Sequence, residues 1–291
     1  MTEGLIGIIG GTGLGDAMAK RLIDAKSHDI DTPFGKPSAA IYVGSIGRNK
    51  VAFLNRHGEG HKFSPSEVPF AANIFALKKL GVHTLVATGA VGSLRDQIAP
   101  GDLVIVDQFI DKTFRRRNSF FEGLAAVHCE MTEPTCNRLR KILLDVAGTI
   151  DIKTHPKATY ICMEGPQFST RAESLMHRTW GGDLIGMTAM PEAKLAKEAQ
   201  ICYALIALPS DYDCWRPHEP GKNKQTLLEE IVANLKVATE NCLKLIEAVL
   251  TTDRRLICET CDCRKTLDLA VWTDRDQIDP ADKEKLTVLF E

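Results

Sequence analysis

The sequence lacks the long hydrophobic run that a membrane helix needs, since no stretch of its 291 residues approaches about 20 consecutive apolar residues. It also lacks a basic leader followed by an apolar run and a small-residue cleavage site. Instead, the chain opens directly into the apolar segment LIGIIG at residues 5–10. Together these absences predict a cytoplasmic protein that has no membrane as a partner.

The chain also lacks an excess of charge of either sign, because it has 36 Lys and Arg residues and 38 Asp and Glu residues, for a formal net charge of -2. A duplex DNA binder needs clustered Lys and Arg to displace counterions. We therefore expect no nucleic acid partner, although a small anion needs only a local cluster. With 44% apolar and 25% charged residues, the composition is typical of a globular protein with a buried core.

The nine cysteines form no obvious disulfide framework. Six are scattered and, without a secretion signal, are typical of reduced cytosolic thiols. The other three, in the pattern CxxCxC, are one thiolate short of a four-cysteine zinc site, so we predict no metal. Reduced thiols on a packing extension and metal binding remain the two interpretations of this cluster, which comprises Cys258, Cys261 and Cys263.

Apolar runs that alternate with segments of helical spacing favour a mixed α/β sandwich. We predict one domain over residues 1–250. Residues 251–291 form an extension with many charges and little periodicity, which packs on the same domain or on a neighbouring subunit. The predicted strands are 4–10, 41–43, 51–54, 84–87, 103–106, 159–162 and 205–208, and the predicted helices are 68–80, 134–147, 191–203 and 225–250.

A glycine-rich turn, GGTGLG at residues 10–15, follows the first predicted strand. Such a turn can present backbone N–H groups to an anion, and Thr12 adds a hydroxyl donor. A dinucleotide-binding unit is a poor alternative, because residues 29–36 look like an extended loop where that unit requires a helix and a second strand. The lysine and serine of a P-loop are absent. A plain tight turn remains an alternative.

An Arg-His pair, Arg56 and His57, follows the strand at 51–54. The guanidinium fork can bind two phosphate oxygens, whereas a surface salt bridge is the commoner role for a single Arg. Small polar groups follow two other apolar runs, in residues 88–93 and at Met187-Thr188. If these loops converge at one end of a sheet, they form a phosphate site.

Two acids, Asp211 and Asp213, follow the strand at 205–208. In an extended segment they project to the same side. Paired carboxylates raise each other's pKa, so one can keep a proton near neutral pH and serve as a general acid. A solvated acidic turn is the commoner role for such a pattern.

Taken together and in order, these segments resemble the trimeric nucleoside phosphorylase family, and within it the methylthioadenosine phosphorylase branch. The resemblance runs from Ile6 to Trp215, most of the chain. It implies a single-domain nucleoside phosphorylase-like α/β fold, with a central mixed sheet that forms a distorted barrel flanked by helices. It also implies a homotrimer, inorganic phosphate as co-substrate, and no cofactor. The matching segments are IGIIGGTGL, DTPFGKPS, RHGEGH, GSLRDQIAPGDLVIVDQFIDKT, EGPQFSTRAES, MTAMPEAKLAKEAQICYA and SDYDCW.

Carried over by position, the resemblance also implies the site residues. Gly89 departs from the family pattern, since many relatives have Thr or Asn there, so a side-chain contact to phosphate is lost and only the backbone N–H remains. Met187 is expected under the ribose and Phe168 against the base. The implied phosphate ligands are Thr12, Arg56, His57, Gly89, Ala90 and Thr188.

The resemblance further implies a 6-aminopurine substrate. Relatives that act on 6-oxopurines have Glu where this chain has Ser169 and Asn where it has Asp211. Asp211 is expected to protonate or hydrogen-bond N7 of adenine, and Asp213 to support it or contact N6. The implied reaction converts 5'-methylthioadenosine and phosphate to adenine and 5-methylthioribose 1-phosphate.

The pocket for the 5' group of the nucleoside departs from the family pattern at one position. Leu228 keeps the apolar character of this pocket, but Lys224 stands where a small apolar residue is usual. Either the register shifts around Pro220-Gly221, or the pocket is polar enough to admit adenosine. His61, and His128 from a neighbouring subunit, are further candidates for this end.

Several alternatives remain open. Within the family, they are a phosphorylase of adenosine and one of methylthioinosine or inosine. A hydrolytic nucleosidase, a nicotinamide-dependent dehydrogenase and a catalytically silent nucleoside- or zinc-binding protein are the others. For the terminal cysteines, some thermophilic relatives have disulfides between cysteines in a CxC pattern, which adds a Cys261–Cys263 bond to the interpretations above.

Overall fold

Eleven β-strands organise the fold of residues 4–217 and 223–290, which are the residues described by this computed structural model. Most are rich in β-branched and other apolar side chains and are buried, as expected for interior strands. They are β1 (Leu5–Gly10), β2 (Ile23–His28), β3 (Ile41–Ile46), β4 (Asn49–Asn55), β5 (Val82–Ser93), β6 (Leu103–Ile105), β7 (Gln108–Lys112), β8 (Thr154–His155), β9 (Thr159–Met163), β10 (Leu184–Gly186) and β11 (Cys202–Asp211).

The helices of the described residues are mostly short. No helix in this part of the chain is long and apolar enough to cross a membrane. They are α1 (Gly15–Ala19), α2 (Phe70–Lys79), α3 (Asn137–Ala147), α4 (Arg171–Thr179), α5 (Glu192–Glu198), α6 (Lys224–Thr251) and α7 (Pro280–Leu286), and the 3₁₀ turns are Glu59–His61, Asp262–Lys265, Arg275–Gln277 and Thr287–Leu289.

Side-chain caps lie at the start of three of these helices, α4, α6 and α7. Thr170 and Glu173 form a reciprocal capping box at the start of α4. Asn223 accepts a hydrogen bond of 2.9 Å from the backbone N–H of Thr226 at the start of α6. The α6 cap fixes the position at which Lys224 enters the helix, and Lys224 is exposed there.

Four parallel strands, in the order β4-β1-β5-β11, form the centre of the sheet. Since they run in the same direction, their carboxyl ends meet at one edge. Loops that follow this edge are where ligands bind in open α/β sheets. β4 ends at Asn55, just before Arg56, and β11 ends at Asp211, so the fold brings two of the sequence motifs to the same edge.

The sheet is open, so the distorted barrel expected from the family resemblance is not closed by strand pairing. One path runs β2-β3-β4-β1-β5-β10-β9-β7, and a branch runs from β5 through β11 and β6 to β8. β5 is the branch point, because it pairs with β1 over its first half and with β10 near its end, and with β11 along the other side. Among the described residues, no strand pairing joins the end strands β2, β7 and β8 to one another. A mixed central sheet flanked by helices is confirmed.

Two large apolar clusters, one on each face of the sheet, make up the core. Residues beyond 251 contribute to both clusters, since Leu256 belongs to one and Leu267, Ala270 and Leu289 to the other. The extension therefore buries apolar side chains against the same core as the preceding residues.

Candidate functional site

The first site residue, Arg56, lies fully buried immediately after β4. Its Nε and Nη2 donate to the two carboxylate oxygens of Glu192 at 2.7 and 2.8 Å, and its Nη1 donates to the backbone carbonyl of Thr88 at 2.6 Å. Burial alone lowers the pKa of Arg56, but the Glu192 carboxylate outweighs it and raises that pKa. Three of its five N–H donors are thus occupied, and its full burial (0% exposed) excludes the surface salt bridge.

The glycine-rich turn packs directly on this guanidinium. The backbone N–H of Gly11 donates to the Thr88 hydroxyl at 3.1 Å. A β-carbon at Gly11 would lie 2.7 Å from the carbonyl oxygen of Thr88 and 3.0 Å from Arg56 Nη1. Only glycine permits this close approach. Thr12 follows at the exposed tip of the turn.

Gly89 and Thr188 face each other beside the same turn. A β-carbon at Gly89 would lie 3.5 Å from Thr188 Oγ1, an ordinary contact distance. Gly89 and Ala90 pair with Ala207 and Leu208 of β11, so both lie within a strand. Gly89 therefore lies next to both the glycine-rich turn and the Thr188 hydroxyl, and backbone N–H and hydroxyl groups are the donors that anion sites use.

His57 is held in its neutral form next to this cluster. Its Nδ1 lies 2.9 Å from the carbonyl oxygen of Phe63, and its ring stacks on that of His61 at 4.2 Å. Burial and then the Arg56 charge lower the pKa of His57 to about 4. At neutral pH its ring therefore contributes a hydrogen-bonding group and no charge.

The acid pair occupies the end of β11. Asp211 accepts hydrogen bonds of 2.8 Å from the Ser210 hydroxyl and 2.7 Å from the backbone N–H of Asp213. Asp213 has a positive φ of 50°, and its Oδ2 is buried with no hydrogen-bond partner of normal geometry among the described residues.

Burial raises the pKa of Asp213, and the charge of Asp211 adds to the effect, while the nearby hydroxyls of Ser174 and Ser169 oppose it. These effects make Asp213 easier to protonate than an exposed Asp. Gly92 leaves room for the Asp211 carboxylate, since a β-carbon at Gly92 would lie 3.2 Å from Asp211 Oδ1.

Met187 links the two parts of the site. Its carbonyl accepts a hydrogen bond of 2.7 Å from Arg116, which also binds Glu164 at 3.1 Å. Its Sδ would lie 2.6 Å from a β-carbon at Gly165, which has a φ of +72°. Close packing against a left-handed glycine therefore fixes the methionine beside residues 165–169.

The base-side residues are more open. Phe168 is 85% exposed and Leu228 is 59% exposed. Ser169 lies near the acid pair, since its carbonyl accepts from the Cys214 thiol at 3.2 Å. Lys224 is exposed at the start of α6. Pro220 and Gly221, at which a register shift was considered, lie outside the described residues.

Sequence reasoning missed two acids that hold buried arginines in place. Glu192 pairs with Arg56 and accepts from the Tyr203 hydroxyl at 2.9 Å, and Glu164 holds Arg116. The only available signal was an acid beside an apolar, alanine-rich helix, PEAKLA at residues 191–196. Nothing local connects Glu192 to an arginine 136 residues away.

Comparison with known proteins matches this architecture. The model of the phosphorylase superfamily matches residues 5–251. The S-methyl-5'-thioadenosine phosphorylase of Cereibacter sphaeroides is 45% identical over 279 residues, covering 95% of this chain and 93% of that protein.

Two solved structures are also similar. A methylthioadenosine phosphorylase sourced from an Antarctic soil metagenomic library has 40% identity and a TM-score of 0.86, with 100% of both chains covered. The Schistosoma mansoni methylthioadenosine phosphorylase in complex with adenine has 37% identity and a TM-score of 0.75, covering 84% of this chain and 91% of that one. These matches span nearly the whole sequence, and the chain belongs to the phosphorylase superfamily.

Proposed function

We propose that the chain is a pentosyltransferase that uses inorganic phosphate to cleave 5'-methylthioadenosine, releasing adenine and 5-methylthioribose 1-phosphate. Near full-length relatives named S-methyl-5'-thioadenosine phosphorylase support this assignment. The observation in the fold that supports it best is the meeting of the buried Arg56 and the Asp211–Asp213 pair at one edge of four parallel strands.

Phosphate is proposed to bind where the glycine-rich turn, β5 and Thr188 converge. Thr12 and Thr188 supply hydroxyls, Gly89 and Ala90 supply backbone groups, and Arg56 keeps two N–H donors beyond the three bound within the described residues. Neutral His57 adds a further hydrogen bond. Because Glu192 fixes the guanidinium in advance, little side-chain entropy is lost when the anion binds.

Adenine is proposed to bind at the end of β11, between the acid pair and the segment of Phe168 and Ser169. A carboxylate accepts from an N6 amino group, and a protonated one donates to N7. Burial and the charge of Asp211 raise the pKa of Asp213, which makes it easier to protonate than an exposed Asp, and the proposal is that the pair supplies the proton that adenine receives. Asp211 then donates to N7, and Asp213 supports it or contacts N6.

The reaction follows from this arrangement. As the glycosidic bond stretches, the ribose gains cationic character above Met187, and the proton from the acid pair lets adenine leave as a neutral base. Phosphate below the anomeric carbon stabilises the cation and captures it. Such positioning can supply about 7–11 kcal/mol of the barrier. No step requires a cofactor.

Adenosine is a second candidate substrate. The exposed Lys224, close to Leu228 on α6, favours a 5' pocket that tolerates a hydroxyl group. A relative from Schistosoma mansoni, 34% identical, is described as an adenosine/methylthioadenosine phosphorylase. Both substrates use the same phosphate and base contacts, so only the 5' specificity distinguishes them.

Assembly as a homotrimer is part of the proposal. The exposed apolar side chains Phe114, Leu269 and Trp272, at 77%, 92% and 75% exposure, are suited to subunit contacts. Two of them lie in the extension 251–291, which we propose packs both on its own domain and on a neighbour. A cytoplasmic location stays a prediction from the sequence.

The test is purine release from methylthioadenosine, adenosine, methylthioinosine and inosine, each with and without phosphate. We expect phosphate-dependent release of adenine, fastest from methylthioadenosine. Equal cleavage of adenosine would support the second candidate and leave the mechanism intact. Preference for the inosine compounds would contradict the role of Asp211, and cleavage without phosphate would contradict phosphorolysis itself.

A further inference from the structure

Four cysteines from three separate parts of the chain meet at one point in the fold. The sulfurs of Cys136, Cys202, Cys261 and Cys263 all lie within 4.8 Å of one another. Two of these residues were scattered in the sequence, and the other two belong to the C-terminal CxxCxC segment. The fold therefore supplies the thiols that this segment lacks for a four-cysteine site.

One measured sulfur–sulfur distance equals an edge of a tetrahedral metal centre, and all the others are at most 4.8 Å. The Sγ atoms of Cys136 and Cys261 are 3.8 Å apart. A tetrahedron of thiolates around zinc, with Zn–S bonds of about 2.3 Å, has S–S edges of about 3.8 Å. A disulfide would require about 2.05 Å, and in this structure all nine cysteines are free thiols.

The elements that carry these cysteines are well anchored. Cys136 immediately precedes α3, and its backbone N–H donates to the Tyr203 carbonyl at 2.8 Å, which joins it to the start of β11, next to Cys202. Cys136 and Cys202 are 3% and 1% exposed. Cys261 immediately precedes the 3₁₀ turn that contains Cys263, so a buried pair faces a more exposed pair.

Arg138 offsets the charge that such a centre would carry. Four thiolates around a divalent ion leave two negative charges. Arg138, two residues after Cys136, supplies one positive charge against these two, and its Nη1 and Nη2 donate to the carbonyls of Arg255 and Leu256 at 3.0 and 2.7 Å. The same side chain thus links α3 to the start of the C-terminal segment.

We propose that Cys136, Cys202, Cys261 and Cys263 bind one zinc ion, which fastens the C-terminal extension to the core. Tetrahedral all-sulfur coordination selects zinc over harder divalent ions. Cys202 begins β11 and Asp211 ends it, so a ten-residue strand of about 3.3 Å rise per residue separates the ion from the proposed acid pair by about 30 Å. The ion is structural and takes no part in the chemistry.

The test measures metal content and visible absorption in the full chain. The protein is purified under reducing conditions without chelator, as wild type, Cys261→Ser, Cys263→Ser, Cys136→Ser and the matched control Cys258→Ser. Cys258 lies in the same segment but outside the four-sulfur cluster. We expect about one zinc per chain in wild type and Cys258→Ser, and a large loss in the other variants.

Cobalt replacement provides a second readout, because tetrahedral sulfur-bound Co²⁺ absorbs strongly in the visible. Cys261→Ser should lose this band. Because this variant retains the two buried thiols, it still tests the proposal if Cys136→Ser does not fold. Removing zinc should lower Tm while leaving kcat/KM near its original value at low temperature. Zinc retained in Cys261→Ser, iron instead of zinc, nine free thiols without metal, or disulfides within the cluster would each overturn the proposal.

Discussion

The phosphate end and the base end of the candidate site differ in how completely the protein satisfies their charges. Arg56 is 0% exposed and binds both oxygens of Glu192. Asp213, by contrast, keeps a buried oxygen without a hydrogen-bond partner of normal geometry among the described residues. Phe168, also assigned to this end, is 85% exposed. At the phosphate end the arginine charge is paired with a carboxylate, whereas at the base end a buried carboxyl oxygen lacks such a partner.

This difference indicates separate roles for the two ends. A paired, buried charge contributes to folding only as long as both partners are present. A buried carboxyl without full hydrogen bonding costs stability and is typical of functional sites. We therefore expect removal of the buried Arg56 charge to lower stability and activity together, and substitutions of the acid pair to lower activity without lowering stability.

The largest expected effect is that of Arg56→Ala. It leaves the Glu192 carboxylate buried and unpaired, so we expect the free energy of unfolding to fall by about 3–5 kcal/mol and phosphate-dependent turnover to be lost. Urea denaturation measures the first quantity and adenine release the second. Arg95→Ala is the control, because it breaks an ion pair with Asp183 whose side chains are 26% and 28% exposed and should cost at most about 1 kcal/mol. Equal losses in the two variants would contradict the comparison.

At the base end, Asp211→Asn removes the proposed proton donor. We expect kcat/KM for methylthioadenosine to fall by about 10²–10⁴. Asp213→Asn should also reduce kcat/KM, yet at pH 8 it should keep or raise the free energy of unfolding, because burial disfavours the charged form of Asp213. Steady-state kinetics and urea denaturation on the same samples measure both. If Asp213→Asn lowered the free energy of unfolding as much as Arg56→Ala does, the expected difference in stability between the two ends would be wrong.

The pH dependence of stability probes His57 at the phosphate end. Its pKa in the folded chain is about 4, below the ordinary 6.5, so the unfolded chain takes up the proton first as pH falls. His57 therefore contributes stability that is complete above pH 6.5 and is lost between pH 6.5 and 4, by at most about 3 kcal/mol. The comparison is wild type against His57→Asn by urea denaturation at several pH values. Parallel curves for the two proteins would contradict the lowered pKa.

The sequence predicted most of the central strands, but local patterns underestimated their length. Residues 88–93 looked like a loop because of their glycines, yet they continue β5 to Ser93 between β10 and β11. Likewise, the predicted helix 191–203 ends at Glu198, and β11 begins at Cys202. Pairing with neighbouring strands overrides the weak local preference of glycine and alanine, and that pairing is not visible in the sequence.

In the candidate site, too, residues with a local sequence signal were predicted and residues that depend on distant partners were not. Arg56 and Asp211 stood out because polar groups followed apolar runs. Glu192 did not, because its partner lies far away along the chain, and the same holds for Cys136 and Cys202 of the separate cysteine cluster. Local signals were also overlooked, since the capping box of Thr170 and Glu173 at the start of α4 follows a known pattern.

The smallest expected effect concerns Gly89, where many relatives have a side chain. A β-carbon there meets only Thr188 Oγ1 at 3.5 Å, whereas one at Gly11 would lie 2.7 Å from the Thr88 carbonyl oxygen. Gly89→Thr should therefore fold normally and offer phosphate an additional hydroxyl. One hydrogen bond to a charged group contributes about 1.5 kcal/mol, so we expect KM for phosphate to fall about tenfold. Gly89→Ala, which adds the carbon without the hydroxyl, should leave KM unchanged, and Gly11→Ala should destabilise the turn. If Gly89→Thr instead raised KM, the glycine would be needed to leave space for the anion, and the phosphate end would be complete without that side chain.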